Sequence, residues 1–390
     1  MNFDEVINRK NTHSAKWDMM EEMYGVPKDK GLPMWVADMD FKPPKCISDS
    51  IKNMHDHGIY GYFGDDSNYL DSICWWMKKR HNWDIDKSWI FSVHGLVNGT
   101  SMAIQTYSNP GDSVVLFTPV YYVFFRQIKE GGREVLECPL VNNNGHYELD
   151  FEYYDKLMTG KEKVLVLSSP HNPGGRVWTK DELKEIASFA DRHNLIIVSD
   201  EIHNDLVMPN YKHIPMALAA PEVEDRLIMM TSTTKTFNLA GMHTGNVIIP
   251  DETLRKKFSK TMVSYGISPN SFGKHMVTAA YSQEGADWVD ALMIYISENH
   301  RIFNSSINSI PGVNSMELEG TYLCWVDFSN TGMQNEEVLN RVEKVAKIAV
   351  NRGSTFGNGG ETFLRFNVAT QRALVFDALE RLKRAFADLQ

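Results

Sequence analysis

The stretch KVLVLSSPHNPGGRVWTKDELKEIASFADRHNLIIVSDEIH, residues 163–203, sets two apolar runs on either side of a polar segment with helical spacing. Lys163 to Leu167 and Leu195 to Val198 have almost no polar residue to turn toward water, which predicts strands buried on both faces. Between them Thr179-Lys180-Asp181-Glu182 forms a capping-box pattern, and Leu183, Ile186 and Phe189 recur at helical spacing within Thr179 to Asn194. Strand, crossover helix and strand make a βαβ unit, and hence a parallel sheet.

Further short apolar runs lie outward from this unit at Ser113 to Phe117, Glu134 to Cys138 and Leu227 to Met230, alternating with amphipathic segments. The fold expected is α/β, a three-layer sandwich on a mostly parallel central sheet. After about residue 285 the pattern changes to a long helix, strands near Gly320 to Phe328 and Thr362 to Ala369, and a helix carrying Leu374, Leu379, Leu382 and Phe386. That part reads as a smaller α+β domain, residues 286–390, beside a large domain over 46–285. Residues 1–45, with Pro-rich patches and Pro33-Met34-Trp35-Val36-Ala37-Asp38-Met39-Asp40-Phe41, read as an arm joining the small domain.

Composition bounds the function. The 390 residues are 43% apolar and 23% charged, the balance of an ordinary folded protein. Forty basic against fifty acidic side chains give a charge of −10, which repels nucleic acid and anionic membrane surfaces. Cys46, Cys74, Cys138 and Cys324 have neither CxxC nor Cys/His metal spacing, so neither a disulfide scaffold nor a metal site is expected. The first residues, Met-Asn-Phe-Asp-Glu, are polar and acidic, and no run reaches membrane-spanning length; a cytoplasmic location is expected.

In an open parallel sheet, ligands sit outside the carboxyl ends of the strands. The first run of the βαβ unit is followed by Ser168-Ser169-Pro170-His171-Asn172, the second by Ser199-Asp200-Glu201-Ile202-His203, and Leu227 to Met230 by Thr231-Ser232-Thr233-Thr234-Lys235. An amide, a carboxylate and an amine along one sheet edge are what pyridoxal-5′-phosphate (PLP) chemistry requires: an amine to carry the cofactor, a buried acid to keep its ring nitrogen protonated, and donors around the ring.

With these residues the chain resembles the fold type I (aspartate aminotransferase fold) PLP enzymes, and more narrowly the MalY/PatB-type cystathionine β-lyases and cysteine desulfhydrases. The resemblance runs over nearly the whole chain and is carried by the 34–41 segment, Asn109-Pro110-Gly111-Asp112, Thr118-Pro119-Val120-Tyr121, His171-Asn172-Pro173, Asp200-Glu201-Ile202-His203 and Lys235-Thr236-Phe237-Asn238-Leu239-Ala240-Gly241. It implies that Lys235 is the catalytic lysine holding PLP as a Schiff base. Asp200 would pair with the ring nitrogen, Asn172 bond the ring hydroxyl, Tyr121 stack on the ring and Tyr122 stay in the core. Gly95, Leu96 and Val97 at a helix start would cradle the phosphate, helped by the hydroxyls of Ser232 and Thr234 and by Tyr62 from a neighbouring subunit of a homodimer. Arg365, in the alternating strand Phe363-Leu364-Arg365-Phe366-Asn367, would fork the substrate α-carboxylate, with Val36, Ala37, Tyr121 and Asn172 lining the substrate side.

The chain departs from the aminotransferase pattern at three positions, of which the first bears on the reaction. His243 stands where aminotransferases of this fold carry a phosphate-binding Arg, Gly174 stands where Thr is usual, and Thr234 replaces a usual Ser. At Asp-x-x-Tyr of typical aminotransferases this chain has His203, as the lyases do. A carbon–sulfur β-lyase acting on cystathionine, cysteine or a related S-substituted amino acid, with a role in methionine biosynthesis, is therefore expected, with an amino acid aminotransferase as the alternative and a regulatory binding protein as a third reading.

Overall fold

The computed structural model describes residues 1–389. Its central sheet has seven strands: β1 (Ile90–Val93), β2 (Ser113–Thr118), β3 (Glu134–Pro139), β4 (Glu162–Ser168), β5 (Ile196–Asp200), β6 (Leu227–Thr231) and β7 (Gly245–Ile248). They lie in the order β1-β7-β6-β5-β4-β2-β3, parallel except for β7, which runs against both β1 and β6.

Period-two alternation divides each strand between two buried faces. Val114, Leu116, Val164, Val166, Val198, Ile228 and Met230 enter one apolar cluster. Their neighbours Val115, Phe117, Leu165, Leu167, Ile197, Leu227 and Met229 enter the other. The first face is covered by α2 (Leu96–Tyr107) and α4 (Glu252–Tyr265), and the second by α1 (Ser67–His81) and α3 (Lys180–Arg192), completing three layers. Both halves of the capping box at Thr179 and Glu182 form, an arrangement worth about 1 kcal/mol. Glu182 also holds Arg176, whose Nε reaches Glu319 at 3.1 Å and so ties this layer to the C-terminal part.

The smaller α+β part is built on a four-stranded antiparallel sheet, ordered β8 (Asn314–Ser315), β9 (Leu323–Asp327), β11 (Phe363–Asn367), β10 (Asn351–Arg352), with α6 (Arg372–Ala385) packed in the same core. The expected domain break at 285–286 falls in the first turn of α5 (Gln283–Ile307). This helix touches both regions, Trp288 lying 5.8 Å from Phe237 and Phe303 lying 5.3 Å from Phe366.

The N-terminal segment is pinned to the smaller sheet region. Leu32–Pro33 pairs in parallel with Ile348–Ala349, and the Asn367 amide donates to the Met34 carbonyl. Beyond it, Arg9 forks Asp38 at 2.6 and 2.9 Å, while the buried Lys16 ammonium and the Trp17 indole N–H bind Asp40 at 2.7 and 2.8 Å. Asn367 Nδ2 donates to the Val36 and Asp38 carbonyls. Charge-assisted bonds of this kind fix the backbone of residues 36–40 on both sides.

Candidate active site

Because β4, β5 and β6 are adjacent, the residues after them converge. Together with the start of α2 they line a cavity of about 450 Å³ that contains Ala37, Gly95, Leu96, Val97, Tyr121, Asn172, Asp200, His203, Thr234, Lys235 and His243.

Lys235 projects from a single helical turn, Thr233–Thr236, capped by the Ser232 hydroxyl. Its Nζ donates to the Ala37 carbonyl at 2.7 Å, on the segment that Arg9, Lys16 and Asn367 immobilise. Burial first, and then the charge of Arg365, lower the lysine to about 8, against the pull of Asp38 and Asp200. Asp200 is buried, accepts one hydrogen bond, from the Ile202 amide at 3.1 Å, and is raised by that burial to about 6. The His203 ring is buried with Nδ1 unpartnered; burial, then Lys235 and Arg365, push it well below its ordinary value and hold it neutral.

Arg365 on β11 is 2% exposed and donates to Asn172 Oδ1 at 2.8 Å, to the Trp35 carbonyl at 3.1 Å and to Asn351 Oδ1. Its Nε has no partner. Among the described residues neither Arg365 nor Asp200 forms an ion pair. A buried cation without a counter-charge, and a buried carboxylate that feels no opposite charge but that of Lys235, are costly unless a ligand satisfies them. PLP bound to an amino acid brings both, a protonated ring nitrogen for Asp200 and a carboxylate for Arg365, so the residues present fit that cofactor.

At the other end of the cavity Gly95 opens α2 with φ +78° and ψ 165°, a conformation that favours glycine, and a Cβ added there would meet open space. The first N–H groups of a helix have no intrahelical acceptor, and here they stand at the cavity wall. Thr234 lines the cavity, its Oγ1 standing 2.7 Å from Ser232 Oγ.

The residues expected from the sequence fall into two groups. Lys235, Asp200, His203, Asn172, Tyr121, Thr234, Gly95, Leu96, Val97 and Ala37 meet around one space. Ser232 does not reach it: its Oγ caps Thr234 N–H and lies 2.7 Å from the Thr244 carbonyl, so the hydroxyl is consumed in holding the turn. Val36 packs its side chain on the cluster of Met20, Val26 and Trp35. Arg365 stands behind Asn172. Tyr62 is fully exposed and away from the cavity wall. Tyr122, expected in the core, is 37% exposed, because it precedes the helix that buries Val123 and Phe124. Sequence reading missed His94, Asn98, Ser101, Phe124, Ile202 and Ala240 of the wall; Ser101 lies four residues past Val97 on α2, a helical spacing that puts both on one face.

Residues 36–382 match the family described as aminotransferase class I and II. The chain is 38% identical to the cystathionine β-lyase PatB of Bacillus subtilis, over 99% of this chain and 100% of that protein. Its structure superposes on cystalysin of Treponema denticola, which contains a PLP cofactor, with a TM-score of 0.95 and 36% identity over 100% of this chain and 99% of the other. The PLP-bound C–S lyase of Staphylococcus hominis follows at a TM-score of 0.91 and 28% identity, covering 99% of this chain and 98% of that one. Matched in sequence and in fold along nearly its whole length, the chain belongs to the class I and II aminotransferases, a family of PLP-dependent enzymes.

Proposed function

We propose that the protein is a carbon–sulfur β-lyase that converts cystathionine, cysteine or a related S-substituted amino acid, with one water, into a thiol, pyruvate and ammonia. The observation that carries this reading is the pair of buried charges without ion-pair partners, Asp200 and Arg365, both of which act on the buried Lys235 amine. PLP, when bound, supplies an electron sink for the pair of electrons left at the substrate α-carbon.

The protein's own residues do the rest. Lys235 holds the cofactor, and its amine, brought down to about 8, is poised to take the α-proton near neutral pH. Asp200 would keep the ring nitrogen protonated. The amides of Leu96 and Val97, with Thr234, would hold the phosphate, and Tyr121 would lie against the ring. Arg365 and Asn172 orient the α-carboxylate. His203, neutral and with a free ring nitrogen, offers one hydrogen bond at the position where typical aminotransferases have Tyr. PatB and the C–S lyase of S. hominis, as named, support the lyase outcome over transamination.

The exposed ring of Tyr62 suits a homodimer in which each copy completes its neighbour's phosphate cup. No helix among the described residues is long and apolar enough to cross a membrane, and we place the enzyme in cytoplasmic sulfur amino acid metabolism, including methionine biosynthesis.

The reaction is tested by stoichiometry. L-cystathionine or L-cysteine gives pyruvate, ammonia and a thiol or sulfide continuously, many equivalents per subunit, without added keto acid. Formation of the substrate's own keto acid, with its sulfur retained and no ammonia set free, that stops after one equivalent and resumes only with an added keto acid, itself converted to its amino acid, assigns the aminotransferase reaction instead. Arg365→Lys lowers kcat/KM by about 10- to 100-fold, because a point charge replaces the planar fork and loses roughly one to two charge-assisted hydrogen bonds; kinetics with both constants unchanged would return Arg365 to a purely structural role.

A further inference from the structure

Beneath the cavity floor lies a buried carboxylate that the proposed reaction does not use. Asp205, five residues after Asp200, is 6% exposed and accepts hydrogen bonds from three side chains on two elements: the Trp76 indole at 3.2 and 3.1 Å and His81 Nε2 at 3.0 Å, both on α1, and the Thr236 hydroxyl at 3.0 Å on the turn that carries Lys235. Arg80 stands 3.9 Å away. Burial drives its pKa up, but the bonds and charge from His81, Arg80 and Thr236 outweigh that and leave it below its ordinary value, ionised.

Thr236 is the neighbour of Lys235 in the same single turn, fully buried, and Asp205 is the partner of its hydroxyl. A lone helical turn has almost no stability of its own, since its few internal bonds do not offset the ordering of its backbone. Its orientation is therefore set by what grips its two ends. Ser232 caps the front, and Thr236 on Asp205 anchors the rear. Phe237, the next residue, packs edge-on against Trp76 at 5.5 Å, so the anchor is continuous with α1.

We propose that Asp205 is a positioning residue for Lys235: through the Thr236 hydroxyl it fixes the turn from which the lysine amine is aimed into the cavity. This rests on Lys235 being the cofactor lysine. A hydrogen-bond anchor and a packing role make opposite demands on Thr236. Val keeps the volume and removes the hydroxyl; Ser keeps the hydroxyl and removes the methyl.

The test compares Thr236→Val and Thr236→Ser in the full-length protein, measuring kcat and KM with L-cystathionine, the rate at which cofactor-free protein takes up PLP by its absorption, and the thermal midpoint. Thr236→Val lowers kcat about 10-fold or more with KM within about 2-fold, and slows PLP uptake in proportion, since misplacement of a reacting group by a fraction of an ångström costs that order. Thr236→Ser stays within about 3-fold of wild type on both readouts although it leaves a small void. Ser at least as impaired as Val, or both like wild type, overturns the proposal. Wild-type protein that takes up no PLP removes the Lys235 assignment itself, whereas equal uptake by wild type and the Val variant overturns the Asp205 role alone.

Discussion

Lys235→Ala abolishes turnover, by about 10⁴-fold or more, because one substitution removes both the cofactor's covalent attachment and the base for the α-proton. The fold survives it. Alanine is the best helix former, and the ties that hold the turn, Ser232 at one end and Thr236 at the other, do not involve the lysine side chain. Only the bond from Nζ to the Ala37 carbonyl is lost. Borohydride treatment followed by peptide mass analysis checks the assignment: wild type carries a reduced PLP adduct on Lys235, and the variant carries none. An adduct of equal yield in the variant would place the cofactor on another amine.

Asp200→Asn retains PLP but loses about 10²- to 10³-fold in kcat, through the electrostatics of a dry site rather than through shape. The amide keeps the size of the carboxylate and can still accept from the Ile202 amide, so the end of β5 is undisturbed. What disappears is the negative charge. In the protein alone burial raises Asp200 to about 6; a positive ring nitrogen beside it favours the ionised form, lowers that value and keeps the pair charged through neutral pH. A neutral amide cannot hold the ring proton, and the ring then draws electrons from the α-carbon far less well. Steady-state kinetics with L-cystathionine, paired with the visible spectrum, measures the loss; a kcat within about 2-fold of wild type would show that the ring nitrogen needs no carboxylate.

The parallel core of the sheet was legible because β2, β4, β5 and β6 are buried on both faces, which makes each an apolar run bounded by turn residues. β1, β7 and α1 escaped sequence reading. Ile90-Phe91-Ser92-Val93 is a half-buried edge, Gly245-Asn246-Val247-Ile248 opens with glycine and a polar residue, and neither pattern differs from a loop in isolation. The α1 stretch carries charges and its apolar face is weakly periodic to the eye. Lys235, Asp200 and Asn172 could be singled out because each lies at the end of a strand of the parallel core or within four residues of it. Ser232 misled for a physical reason: a hydroxyl can cap a turn or contact a ligand, and composition does not distinguish the two uses. Asp205 and Thr236 were invisible as a pair because the bond joining them crosses 31 positions.

The reversed strand β7 also sets an order of assembly. β1 hydrogen-bonds to β7 alone, Val93 opposite Gly245, about 150 residues later, and closing so long a loop carries an entropic cost that short-range pairings avoid. β1, and with it the Gly95 turn that abuts Gly245, therefore lacks its strand partner until residues 245–248 arrive, although α2 also packs on β4, β5 and β6. A chain growing from its N-terminus possesses Asn172, Asp200 and Lys235 before β1 and the Gly95 turn are locked by their last strand. The Gly95 end of the cavity is thus the last part of the sheet to be fixed, and a chain ending short of β7 would carry Lys235 with that end supported on one side only.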